Sequence, residues 1–115
     1  MAGHQFVVPD EDQLMEFFGS QPIERAVEDG YWCYEVVGPA GTSLRFSLNI
    51  YERSVQTELR LGAIPLATIS HEMATLLRVD GLDLRCEFLG SDCRTTLTIH
   101  GREGFRTIWS TLQTE

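Results

Sequence analysis

The sequence contains no lysine: all nine of its basic residues are arginine, set against 17 acidic residues, for a formal net charge of −8. That balance argues against a nonspecific hold on DNA, RNA or anionic lipid, since those ligands select for clustered positive charge. Cysteine is scarce as well. Cys33, Cys86 and Cys93 make an odd number with no CxxC spacing, which argues against a disulfide framework and against a zinc ribbon, and predicts reduced thiols. Long apolar runs are missing; the longest are a handful of residues, where a bilayer crossing needs ~20. Residues 1–9 have no basic stretch leading into an apolar one. The expectation is a soluble, cytoplasmic, unexported protein with no membrane partner. The ten glycines are scattered as turn residues. No GxGxxG or GxxxxGKS/T run offers a phosphate cradle, and no GxSxG elbow presents a nucleophilic serine.

What the sequence does have is enough apolar material for one core. With 115 residues, 43% hydrophobic and 10% aromatic, it reads as a single domain over residues 1–115. The charge is uneven. Residues 1–35 hold eight acids and only Arg25, for −7, while residues 36–115 hold nine acids and eight arginines, for −1. Because the arginine fork pairs well with carboxylates, the later acids are expected to be matched locally and the early ones left unmatched.

The periodicity changes once along the chain. Asp10-Glu11-Asp12 places acids where a helix exposes its unpaired N–H groups, and Leu14, Phe17 and Phe18 form a stripe ended by Gly19 and the Ser20-Gln21-Pro22 turn, so a helix is predicted there. Residues 23–28 stay open between a helical turn and a strand. From Tyr31 the period is two: Tyr31–Val37, Leu44–Ile50, Val55–Leu61 and Ile64–Ile69 read as strands of a meander. Ser70–Arg78 reads as a short helix or turn feeding a strand. Leu82–Leu89 and Cys93–Ile99 read as a hairpin about Ser91-Asp92, with Cys86 opposite Leu97 and too far from Cys93 for a disulfide. Phe105, Ile108, Trp109 and Leu112 fit a helical stripe. The sum is an α+β fold: an antiparallel sheet of about five to seven strands with an N-terminal helix and a C-terminal one.

No catalytic or metal site is expected. His71-Glu72 opens like HExxH, but position 75 is threonine. His4 and His100 have no Cys or His at ligand spacing. Cys86, between Leu84 and Phe88, reads as a buried structural thiol, and Glu35 beside Cys33 argues against reactivity there. No cofactor is implied. The feature that stands out is the acidic first third with its aromatics. Asp10, Glu11, Asp12, Glu16, Glu28, Asp29 and Glu35, with Trp32 and Tyr34 as anchors on one strand face, would suit a partner with a basic cleft.

The alternating runs Leu44-Arg-Phe-Ser-Leu-Asn-Ile, Ser54-Val-Gln-Thr-Glu-Leu-Arg-Leu-Gly62, Ile64–Ile69 and Leu82–Phe88, set in a short acidic chain, resemble the small α+β immunity proteins encoded beside bacterial polymorphic and contact-dependent toxins. The resemblance implies a protein without chemistry of its own, monomeric until it binds a cognate toxin tightly and blocks its active site. The family has no shared catalytic residues, so the nine partner-binding residues rest on charge and aromatic content alone. Two other readings compete: a small ligand-binding or enzymatic α+β domain with its pocket between sheet and helices, and an accessory domain that self-associates through an exposed sheet edge.

Overall fold

A computed structural model describes residues 5–90, 92–101 and 105–113. Its single α-helix, α1 (Glu11–Phe18), forms where the acids predict it. Asp10 caps α1 reciprocally: its carboxylate accepts from the Gln13 backbone N–H at 2.9 Å, and the Gln13 side chain accepts from the Asp10 N–H. Both interactions satisfy donors that the first turn leaves orphaned. At the other end Gly19, at φ 76°, closes the helix in the left-handed region, and its N–H reaches the Met15 carbonyl.

Most of the remaining described residues are strand. β1 (Glu24–Ala26), β2 (Tyr31–Val37), β3 (Thr42–Asn49), β4 (Ser54–Leu61) and β5 (Ile64–His71) form a five-stranded antiparallel sheet in sequence order. β6 (Ala74–Asp80), β7 (Asp83–Leu89), β8 (Cys93–His100) and β9 (Arg106–Gln113) form a second, four-stranded one, also in sequence order. Within each sheet, successive strands are antiparallel neighbours. The Leu82–Leu89 and Cys93–Ile99 hairpin is present with Cys86 opposite Leu97, the register read from the sequence. Its turn residue Ser91, like His4, lies outside the described residues.

The fold class therefore needs correction. The chain makes two packed sheets dominated by strand, not one sheet of five to seven strands flanked by two helices. The C-terminal helix is β9. Residues 105 and 109 belong to a helical stripe and to a strand face alike, because spacings of four satisfy both periods. The other positions on that strand face are Thr107 and Thr111, opposite Ile99 and Thr95, so the alternation that marks other strands is masked by hydroxyls. Pairing with β8 decides the matter, and the β-branched Thr107, Ile108 and Thr111 suit it. The stretch left open at 23–28 is β1 followed by a 3-10 turn, Val27–Asp29. In the stretch 70–78 no helix forms: residues 70–71 end β5, Glu72-Met73 connect, and residues 74–78 belong to β6.

The core lies between the sheets. From one side come Tyr34, Phe46, Leu48 and Val55; from the other come Leu77, Leu84, Cys86, Phe88, Leu97 and Ile99, all but sealed from solvent. α1 closes one end with Phe18, whose ring stacks on Tyr34 at 4.9 Å and on Phe46 at 5.6 Å and reaches Phe105, just before β9, at 6.3 Å. At another point of the interface Trp109 crosses over, donating its indole N–H to Thr57 Oγ1 at 3.0 Å and packing on Phe88 at 5.5 Å. Burial pushes the thiols of Cys33 and Cys86 up from the ordinary range, away from the reactive thiolate. In the native protein at mildly alkaline pH, a colorimetric thiol reagent is expected to modify Cys93, which is partly exposed, well before the other two. The two buried thiols should react at the rate of unfolding.

Candidate acidic groove

Two turns of the first sheet meet at one end of it. The 3-10 turn Val27–Asp29 leads through Gly30 into β2, and residues 50–53 connect β3 to β4. They are tied together by the Ile50 N–H, which donates to the Gly30 carbonyl at 2.8 Å. Gly30 sits at φ 67°, a left-handed conformation that favours glycine, and a Cβ there would lie 3.0 Å from the exposed Tyr51 ring. Asn49 Oδ1 accepts from the Glu52 N–H at 2.9 Å, and Arg53 holds a left-handed conformation at φ 52°. The bend is thus specified by side chain and backbone together.

Between these turns opens a groove of about 470 Å³ lined by Glu28, Asp29, Tyr31, Asn49, Tyr51 and Glu52. It runs on past Tyr31, Asn49 and Glu52 into a second hollow, of about 240 Å³, walled by Ser47, Ser54, Gln56 and Ser70. Tyr51 is 71% exposed, a large ring at the rim. The Tyr31 hydroxyl donates to Glu24 at 3.0 Å, and its pKa is pushed up, first by burial and then by the neighbouring Cys33 thiol and Glu24, so Tyr31 stays a neutral donor. Glu28, Asp29 and Glu52 make no ion pair with any described residue. Three carboxylates with no described ion-pair partner and two phenol rings give the groove the chemistry to attract cationic side chains and to pack their stems on the rings.

The nine residues nominated from the sequence do not form one surface. Glu28 and Asp29 lie in the groove. Asp12 and Glu16 are exposed on α1, Glu16 at a separate hollow beside Phe17, Val79 and Leu82. Asp10 is the helix cap. Glu11 accepts from Arg25 at 2.8 Å and from the Trp32 indole N–H at 3.0 Å, while Glu35 is paired with Arg45 at 2.9 Å. The early acids were expected to lack partners, yet these two find the nearest arginines. The two anchors also need correcting. Trp32 and Tyr34 do share a face, but it is the inward one, paired with Leu48 and Phe46. Tyr34 is 0% exposed, so its ring lies in the core and offers no surface to a partner. Trp32 is half-buried and latches β2 to α1. Glu52 and Tyr51 escaped the sequence reading because they sit in the charge-balanced part of the chain. The signal for them was a Tyr-Glu pair at a strand-to-strand turn.

The Tyr34 hydroxyl is buried with no hydrogen-bond partner among the described residues, and burial, with Glu11 adding to it, pushes its pKa up to about 12. An unsatisfied buried hydroxyl costs more than a net hydrogen bond gains. Tyr34→Phe is therefore expected to raise stability by about 1 kcal/mol, read as a higher urea midpoint.

The fold and groove define a small two-sheet antiparallel β protein with an acidic recess at one end. No known family profile matches the chain, and no curated protein matches it. Among solved structures, a chain of the contact-dependent growth inhibition toxin–immunity protein complex from Klebsiella pneumoniae 342 has a similar fold. Its TM-score is 0.82, at 22% sequence identity, over 93% of this chain and 97% of that one. No described helix is long and apolar enough to cross a membrane.

Proposed function

We propose that this chain is an immunity-type binding protein that neutralises a cognate bacterial toxin by occluding its active site, acting in the cytoplasm without catalysis of its own. The observation that carries this reading is the groove, where Glu28, Asp29 and Glu52 stand unpaired beside Tyr31 and Tyr51. The likeness to a chain of a toxin–immunity complex supports it. Of the two roles in such a complex the groove fits the inhibitor, because carboxylates and phenols offer a basic cleft both attraction and contact area. Free Cys33, Cys86 and Cys93 suit a reducing compartment.

The test is the protein domain encoded by the reading frame immediately upstream. Coexpression with this chain should protect cells from that domain, the two should purify together, and the domain's activity should vanish in the complex. A domain that remains active while bound would sink occlusion. A domain that neither binds nor is neutralised would sink the immunity reading.

A further inference from the structure

Among the described residues, three other than glycine hold a left-handed backbone: Ala40, Arg53 and Met73, at φ 57°, 52° and 69°. Ala40 lies alone in the connection from β2 to β3. The other two meet. Arg53 ends the turn after β3, and residues 72–73 carry the chain from β5 of the first sheet to β6 of the second. Backbone bonds hold both in place: the Arg53 carbonyl accepts from the Ala74 N–H at 2.9 Å, and the Met73 carbonyl from the Leu89 N–H at 3.1 Å. The Arg53 guanidinium then reaches across to the Met73 thioether, with Nη2 3.7 Å from Sδ.

A left-handed conformation is unfavourable for any residue with a Cβ, and glycine would relieve it at both positions. What glycine would forfeit is the pair of side chains, and these contact each other. Arg53 makes no ion pair with a described residue, and Met73 is 42% exposed. A thioether is a weak acceptor, so the reduced contact offsets little of the strain at two residues. The oxidised side chain is a strong acceptor. We infer that Met73 is a site of reversible oxidation, whose sulfoxide oxygen takes the Arg53 guanidinium and clasps the junction between the sheets.

The oxidant is a hydroperoxide. The Sδ lone pair attacks one oxygen of hydrogen peroxide, and an S–O bond forms as the O–O bond breaks. Sulfur gives up two electrons, and the other oxygen leaves as water with both hydrogens. A thiol-dependent sulfoxide reductase reverses the step. The new oxygen projects from a sulfur that a cationic donor already faces, so a weak N–H···S contact becomes a charge-assisted N–H···O bond. Methionine oxidation ordinarily sets a polar group among apolar neighbours and loosens them. Met15, packed from α1 against the core, is such a case. At Met73 the oxygen is added at the surface, beside its partner. Arg53 also ends the turn that carries Tyr51 and Glu52, so the clasp backs one wall of the acidic groove.

Limiting hydrogen peroxide added to the native chain, followed by peptide mapping, tests the site. Met73 sulfoxide is expected to accumulate roughly fivefold or more faster than Met15 sulfoxide, because attack follows access. Urea denaturation tests the clasp. Oxidation should raise the wild-type midpoint by about 0.2–0.5 M, the scale of one exposed charge-assisted hydrogen bond, and a sulfoxide reductase should return it. Arg53→Leu keeps the backbone strain but removes the donor, and should abolish the rise. Arg53→Lys, which keeps a cationic donor, should retain part of it. Met73→Leu given the same peroxide controls for Met1 and Met15 and should not shift. Oxidation of Met15 ahead of Met73 overturns the site. A wild-type midpoint that falls or stays put on oxidation overturns the clasp, as does a rise that persists in Arg53→Leu or Met73→Leu. Neither readout involves a toxin, so the outcome is separate from that of the immunity reading.

Discussion

Replacing Phe46 by alanine is expected to lower the unfolding free energy by about 3–5 kcal/mol, the largest effect of any single change considered for this protein. Phe46 occupies the middle of β3, the central strand of the first sheet, and is 0% exposed. Tyr34 and Thr57 flank it across the neighbouring strands, and Phe18 stacks on it from α1. Those neighbours are held by their own ladders and by the helix, so they cannot collapse into the space that the ring leaves. Small domains have about 5–15 kcal/mol in all, and a loss on this scale brings the chain close to unfolding at room temperature. Urea denaturation checks it: the midpoint should fall steeply with the slope unchanged. Leu112→Ala, at a position 68% exposed, should move the midpoint hardly at all.

Neutralising the groove should have the largest effect on binding. Glu28→Gln/Asp29→Asn/Glu52→Gln keeps size and polarity and removes three charges that no described arginine balances. If the groove docks a basic cleft, association with the cognate toxin should slow by about 10-fold or more at low ionic strength, since steering of this kind raises on-rates by roughly 10–10³. The dependence of the rate on salt should flatten. The control is Asp12→Asn/Glu16→Gln on α1, which changes the net charge by nearly as much at another place. Stopped-flow kinetics at several salt concentrations separates the two. Equal slowing by both variants would mean that overall charge, and not the groove, guides the encounter.

The strands were legible in the sequence because most of them have one wet side. Leu44, Phe46 and Leu48 alternating with Arg45, Ser47 and Asn49 announce β3 and its inward face, and the turn chemistry at residues 90–92 sets the register that places Cys86 against Leu97. The partition into two sheets was not legible. His71 ends one sheet and Ala74 begins the other, yet the local pattern is the same on both sides of the turn. What separates them is long-range backbone bonding, such as Ala74 N–H to Arg53 O and Leu89 N–H to Met73 O. The site was half legible. Counting charge along the chain finds Glu28 and Asp29 but cannot tell that Glu11 and Glu35 meet Arg25 and Arg45 in space. Nor can it tell that the inward side of β2 is the one carrying Trp32 and Tyr34.

Because both sheets are wound in strict chain order, the molecule is also completed in that order as it leaves the ribosome. The first sheet is whole once His71 emerges, while the strands that roof its apolar side are still to be made. At synthesis rates of ~5–20 residues per second, the wait lasts on the order of seconds. During it Phe46, Leu48 and Val55 face water, which makes the nascent half-protein, and not the finished one, the form most in need of a chaperone.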